Sequence, residues 1–139
     1  GFKYSSSTYP IEHDLYGVPE WPRFKHLRKE GIIEIPVPTI VNNDKNIGIG
    51  GGGYFRLYPY WLSNRRIQKY MKSTTEPYNF YFHPWEIDTD QPRVQGAPFK
   101  SKLRHYVNLH AMEKKLVRLI SDYEWGTMYE TYKDIIDAK

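Results

Sequence analysis

The spacing of apolar side chains near the end of the chain predicts two helices. From about Asn108, apolar residues recur at intervals of three and four, with charged residues on the opposite side. These apolar positions are Met112, Leu116, Leu119, Ile120 and Tyr123. Gly126 ends the pattern, and Thr127 with Glu130 forms a capping-box sequence that predicts a second, shorter helix. Both helices are predicted to serve packing.

Alternating side chains earlier in the chain predict two strands. The β-branched residues 32–37 predict a strand that the neighbouring prolines confine to an edge or end. The aromatic residues 78–82 predict a buried or half-buried strand, because they alternate with a period of two. Pro84 has no N–H to donate, so His83 is predicted to be the last residue of this strand.

A polar turn at residues 42–45 and a glycine cluster lie between the two strands. Gly48 and residues 50–53 make up the cluster. It is not closed by Lys and Ser or Thr, and no helix is predicted to open after it, so it does not have the form of a phosphate loop. It predicts a close approach of the backbone to a neighbouring strand or ligand. Tyr54 and Arg56 follow it on a predicted strand, where both would point at one pocket or both at solvent.

The remaining segments are a short helix and two turn-rich stretches. The helix is predicted from Ser63 to about Lys72. Its apolar side chains are Ile67, Tyr70 and Met71. The first thirty residues read as a long surface excursion. Residues 88–98 form a polar connection, with Arg93 as its only cation, that could act as a lip over a site.

Length and composition set limits on the class of protein. The 139 residues have the size of one domain, and we expect the chain to begin inside a domain because Gly1 opens no recognisable element. No apolar stretch is long enough to cross a bilayer. The formal charge of +4 comes from basic residues interleaved with acidic ones, which argues against nucleic-acid binding. Cysteine is absent, which excludes disulfides and leaves the compartment open. Aromatic residues make up 17%, a content that suits a carbohydrate groove or an aromatic core equally.

The strongest candidate for chemistry is the sequence His83, Pro84, Trp85, Glu86. Loops at the carboxyl ends of strands collect catalytic residues in parallel α/β folds, and His83 is predicted at such an end. Trp85 offers a flat face that can pack against a sugar ring, and Glu86 is near enough to orient the imidazole. The alternative, that His83 is a packed and hydrogen-bonded loop residue, stays open. The spacing of the five histidines matches no metal-binding motif, so a complete metal centre within the chain is not predicted.

Several segments together resemble the carboxyl-terminal part of bacterial polysaccharide deacetylases. The resemblance covers nearly the whole chain, and it is most specific in the glycine block and the His83 block. The residues that carry it are Gly1 to Tyr4, Ile11, His13, Asp14, Tyr16, Gly17, Pro19, the glycine run with Tyr54, Phe55, Arg56, Leu57, Pro59, Tyr60 and Trp61, then Phe82 to Asp88, Gln91 to Arg93, His105, Tyr106, Asn108 and Leu109. The similarity is to the exopolysaccharide-associated subgroup that carries the domain of unknown function numbered 3473.

The resemblance implies an α/β fold, namely the C-terminal portion of a distorted NodB-like (β/α) barrel with a helical tail. It implies a partial catalytic domain over about residues 1–125 and a terminal helix over about residues 127–139. The activity implied is the metal-dependent removal of acetyl groups from an N-acetylated polysaccharide, with a divalent ion such as zinc. The metal ligands of the family lie on segments earlier than Gly1, so the missing N-terminal half of the barrel is the expected partner.

Within this chain, the resemblance gives His83 the role of the acid that protonates the departing amine. Trp85, Glu86, Tyr54, Arg56 and Arg93 are then expected to contact the glycan. No nucleic acid is expected as a partner, and a bacterial protein of the cytoplasm or the cell envelope fits equally well. The competing hypothesis is a non-catalytic module for glycan binding or polysaccharide assembly, in which His83 only packs.

Overall fold

The computed structural model describes residues 1–138, and its architecture is mixed α/β, as predicted. The strands are β1 (Tyr4–Ser5), β2 (His26–Leu27), β3 (Ile33–Glu34), β4 (Thr39–Asn42) and β5 (Lys45–Gly48). The helices are α1 (Gly52–Leu57), α2 (Tyr60–Ser73), α3 (Phe99–Tyr106), α4 (Leu109–Asp122) and α5 (Met128–Asp137). The strands form no closed barrel within residues 1–138, so the barrel stays a prediction. Lys139, the last residue of the predicted terminal helix, lies outside the described residues.

β3 is the central strand of a three-stranded sheet, with β1 parallel on one side and β2 antiparallel on the other. Backbone pairing on the β1 side continues past β3, because the Ile35 and Val37 amides donate to the Ser5 and Thr8 carbonyls. The prolines that follow therefore end the regular pairing and do not place the strand at an edge.

The polar turn predicted at residues 42–45 is confirmed as the turn of the β4–β5 hairpin. Thr39 pairs with Gly48 and Asn42 with Lys45, which leaves two residues in the loop. Asn43 and Asp44 have φ of 48° and 59°. Positive φ at both central positions is the geometry of a type I′ turn, which Asn and Asp tolerate better than most residues.

The glycine cluster lies against the extended segment that leads to His83. The Tyr81 amide donates to the Gly50 carbonyl at 3.0 Å, and the Gly52 amide donates to the Tyr81 carbonyl at 2.9 Å. A Cβ added at Gly50 would lie 2.5 Å from Cδ of Pro38. The predicted close backbone approach is therefore confirmed. Its partner is the extended segment around Tyr81 in the same chain.

The expectation that no helix opens after the glycines is wrong, because α1 begins at Gly52. Glycine disfavours a helix by about 1 kcal/mol, so tertiary contacts must hold this one. Phe55 is buried in a core cluster, and the Lys115 ammonium of α4 donates to the Phe55, Arg56 and Tyr58 carbonyls at 2.9–3.3 Å. The prediction that Tyr54 and Arg56 share a strand face is also wrong, since residues two apart on a helix point roughly 200° apart.

The other helices agree with the sequence patterns to different degrees. α2 begins at Tyr60, three residues before the predicted start, and Met71 is 51% exposed although it was placed in the apolar stripe. α4 is confirmed, with Met112 among its buried residues, and α5 begins with the predicted capping box, in which the Glu130 amide donates to Thr127 Oγ1. α3 was not predicted.

Two of the packing clusters join the helices to one another and to the sheet. In one, α1, α2 and α4 bury Phe55, Ile67 and Met112, and Phe80 packs at its edge. In the other, α5 packs on β3 and the residues after it through a cluster of Ile33, Ile35, Tyr132 and Ile136. Within residues 1–138, none of the helices combines the length and apolar character that a bilayer span requires.

Gly52 and Gly53 provide a matched test of this packing. A Cβ at Gly52 would lie 2.1 Å from Glu86 Oε2, whereas a Cβ at Gly53 meets no atom within 4 Å. Gly52→Ala is expected to lower the free energy of unfolding by about 1–3 kcal/mol. Gly53→Ala is expected to leave it unchanged or raise it by up to about 1 kcal/mol, because alanine favours a helix. Urea unfolding at constant m-value measures both, and equal effects would contradict the packing described.

Candidate functional site

A cleft of ≈ 460 Å³ opens where α1, α3, the His83 segment and the loop around His13 converge. We call it the histidine cleft, because His13, His83 and His105 all line it. Five of the six site residues named from the sequence line it as well. They are Tyr54, Arg56, His83, Trp85 and Glu86. Arg93 lines a separate cavity of ≈ 330 Å³, where its guanidinium lies 4.2 Å from the centroid of the Tyr106 ring.

A buried ion pair forms the base of the cleft. Nε of Arg56 donates to Oε1 of Glu86 at 2.9 Å, and both side chains are 2% exposed. The remaining guanidinium nitrogens of Arg56 donate to the backbone carbonyls of Arg104, His105 and Val107 at 2.9–3.1 Å. One guanidinium therefore joins α1, the His83 turn and the end of α3. With its donors engaged in this way, Arg56 positions the wall of the cleft.

Glu86 fixes the backbone of the turn that presents His83. Its Oε2 accepts from the His83 amide at 2.8 Å, and the Glu86 amide donates to the His83 carbonyl at 2.8 Å. Pro84 occupies the first position of this 3-10 turn, where a missing N–H costs nothing. The imidazole of His83 is 57% exposed, with Nδ1 at 3.8 Å from Glu86 Oε2. This separation exceeds a hydrogen bond, so Glu86 holds the backbone of His83 and leaves its ring free of a hydrogen bond to this carboxylate.

Trp85 stacks on two imidazoles. Its ring centroid lies 4.2 Å from that of His105 and 5.6 Å from that of His83, at interplanar angles of 14° and 23°. Gln91 fixes the orientation of His105, since its Nε2 donates to two backbone carbonyls and its Oε1 is left to accept from His105 Nε2 at 2.6 Å. Burial, with Arg56 and Arg93 nearby, lowers the pKa of His105. The His105 ring packs against Trp85 and supports it.

Tyrosines form the opposite wall. Tyr16 stacks on His13 at 3.9 Å between centroids and is 49% exposed, and Tyr81 is 37% exposed. Burial raises the pKa of Tyr81 to about 12 and also raises the pKa of Tyr54. These phenols stay neutral near neutral pH, so they can donate and accept hydrogen bonds as well as stack.

An exposed ion-pair cluster ties the two walls together. Arg104 Nη2 donates to both carboxylate oxygens of Asp14 at 3.0 Å, and Lys100 Nζ donates at 3.1 Å. Hydrogen bonds from Arg104 and then Lys100 lower the pKa of Asp14 to about 2. The loop that carries His13 and Tyr16 is thereby linked to α3.

Sequence reasoning gave no site role to five ionisable or aromatic residues that line the cleft. They are His13, Tyr16, Tyr81, Arg104 and His105. The first thirty residues carry no periodicity and α3 was not predicted, so nothing in the sequence placed these segments beside His83. The aromatic content was one signal, and the family resemblance named His13, Tyr16 and His105 without giving them a role.

The arrangement suits a neutral, polar ligand the size of a few sugar rings. Aromatic faces can stack on it, and an exposed imidazole can transfer a proton. Within residues 1–138, no group of three His, Asp or Glu side chains is placed to hold a metal ion.

Comparison with known proteins gives a family and no closer relative. A family model described as "Domain of unknown function (DUF3473)" matches residues 6–133. No curated protein and no solved structure matches the chain. The matched range includes all of the segments that form the histidine cleft.

Removing one partner of the buried pair tests its role as the base of the cleft. Arg56→Met leaves the Glu86 carboxylate buried without its cation, and a loss of about 3–5 kcal/mol in the free energy of unfolding is expected. Adding Glu86→Gln should recover part of the loss. Lys100→Met is the control, because its ammonium is exposed and should add little. Equal losses for Arg56→Met and Lys100→Met in urea unfolding would contradict this role.

The titration of Asp14 tests the link between the two walls. A carboxyl whose pKa falls on folding stabilises the fold above its unfolded pKa of 3.8, and this contribution is lost as the pH falls through about 2. The carboxyl carbon shift in NMR is expected to titrate near pH 2, and in Arg104→Gln its midpoint should rise towards 3.8. A midpoint that Arg104→Gln leaves in place would show that the contact is absent in solution.

Proposed function

The chain belongs to the family described as domain of unknown function 3473, and on that premise we propose that it supplies the acid-bearing part of a polysaccharide de-N-acetylase. The reaction is hydrolysis of the acetamide C–N bond on an N-acetylated sugar, within exopolysaccharide metabolism. Activation of the attacking water, with its divalent metal, is assigned to a preceding barrel half outside this chain. The C-terminal portion of a NodB-like barrel is the corresponding fold proposal.

The observation that carries the proposal is the presentation of His83. Its imidazole is 57% exposed at the rim of the histidine cleft, while its backbone is clamped by a carboxylate that is 2% exposed. A packed loop histidine needs no such exposure, and a general acid must reach its substrate. The held backbone and the stacking on Trp85 both limit the positions that the His83 ring can take. Proton transfer needs this kind of preorganisation.

In the reaction, His83 acts on the leaving group. Collapse of the tetrahedral adduct breaks the C–N bond, and the amine nitrogen takes a proton from the imidazolium of His83. The imidazole is left neutral, and acetate and the free amine are the products. The acetamide nitrogen must therefore lie within hydrogen-bond reach of the exposed edge of this ring, at the mouth of the cleft.

The walls of the cleft supply the groove for the glycan. Tyr16 and Tyr81 are the exposed rings and are assigned the stacking contacts, with Tyr54 beside them. Trp85 stacks on imidazoles, so its main role in the proposal is to position His83. Arg93 lies outside the cleft, and its contact with the glycan stays a prediction.

A non-catalytic glycan-binding module is the second candidate. The aromatic walls that favour it are the same Tyr16 and Tyr81. The two candidates differ in what His83 contributes, since a binding module needs only its stacking and an enzyme needs its proton.

Substitution of His83 separates the candidates. In the protein that carries this chain with its metal-binding segment, His83→Ala is expected to lower kcat by about 10²–10⁴-fold, because the amine loses its proton donor. Acetate release from an N-acetylated polysaccharide measures kcat. His110→Ala is the matched control, because that histidine is exposed on α4. Unchanged kcat with weaker binding of an N-acetylglucosamine oligomer would instead support the binding module.

A further inference from the structure

A cavity of ≈ 830 Å³ lies between α2 and the β4–β5 hairpin. We call it the α2 groove. The hairpin contributes Ile40 and Ile47 to its lining. Helix α2 contributes Leu62 and the cations Arg65, Lys69 and Lys72. It shares no lining residue with the histidine cleft, so the groove is a separate surface. The α2 residues that line the groove recur at intervals of three and four. They form a stripe beside the buried face of the helix.

The formal charge of α2 equals the net charge of the whole chain. The chain has 20 basic and 16 acidic residues, which gives its formal +4. α2 has four basic residues and no acidic one. Removing these four leaves 16 basic residues against 16 acidic ones, so the rest of the chain is balanced. The four basic residues are Arg65, Arg66, Lys69 and Lys72, and all of them line the α2 groove.

These cations have no anionic partner within residues 1–138. None of the four takes part in an ion pair or donates a hydrogen bond there, whereas Arg56 and Arg104 elsewhere both pair with carboxylates. Nη1 of Arg66 is buried without a hydrogen-bond partner, although its guanidinium lies over the Tyr58 ring at 4.0 Å. Like charges three and four residues apart on a helix repel, so the arrangement weakens α2 unless an anion neutralises it.

We propose that the α2 groove binds an acidic, amphipathic segment of a partner protein. The cations at its rim require carboxylates, and the aliphatic floor requires two or three apolar side chains on the same segment. No aromatic residue lines the groove, which disfavours a sugar or nucleic-acid ligand because both use ring stacking. A concave groove also fits an inserted helix or extended segment better than a flat bilayer surface.

Fluorescence anisotropy with a labelled amphipathic peptide of Glu, Leu and Ala tests the proposal. The chain should bind this peptide, and Arg65→Glu with Lys69→Glu should weaken binding by about tenfold or more. Arg65→Gln with Lys69→Gln should weaken peptide binding less than the charge reversal does. This neutral variant provides a second measurement if the reversal disturbs α2. Lys114→Glu with Lys133→Glu is the matched control, since both lysines are exposed on other helices.

Two peptide variants separate charge from apolar contact. Replacing every Glu by Gln, or every Leu by Ser, should each weaken binding to the unmodified chain. Equal binding of the peptide to the Arg65/Lys69 and Lys114/Lys133 variants would overturn the proposal. So would tighter binding of heparin or of phosphatidylserine vesicles through Arg65 and Lys69, or a dimer of the chain that the Arg65/Lys69 reversal dissociates.

Discussion

The Arg56 guanidinium connects three segments that are far apart in sequence. It pairs with Glu86 in the His83 turn and caps the carbonyls at the end of α3, while its own backbone belongs to α1. A buried charge is tolerated only when it is paired and hydrogen-bonded, and Arg56 meets both conditions. The position of the His83 turn therefore depends on α1 forming where it does. The histidine cleft is a consequence of this one satisfied charge.

The helix that carries Arg56 is itself held from outside. α1 contains Gly52 and Gly53, which weaken a helix, yet Gly52 is needed because a side chain there would meet Glu86. The Lys115 ammonium binds carbonyls at the end of α1, where a positive charge favours the helix dipole. Glycine thus gives the close approach that the ion pair requires, and α4 supplies the stability that glycine removes.

The two grooves of the molecule differ in chemistry. The histidine cleft has aromatic walls, and its cations Arg56 and Arg104 are paired with carboxylates. The α2 groove has an aliphatic floor, and its cations are unpaired within the described residues. The sequence contains the signal for the second groove, because no acidic residue occurs between Asp44 and Glu76. A charge count over the whole chain does not show this stretch, because the basic and acidic residues nearly balance overall.

Several elements follow from signals that are local in the sequence. Helix α4, the Thr127 cap of α5 and the turn after β4 follow from apolar period, capping chemistry and turn residues, all of which act over a few positions. The sequence also singled out His83 and Glu86 as neighbours. Three further features come from long-range packing: α1 is helical, Arg56 is buried with Glu86, and the His13 loop faces α3. These depend on contacts between residues 30 to 90 positions apart, whose energies no local pattern records.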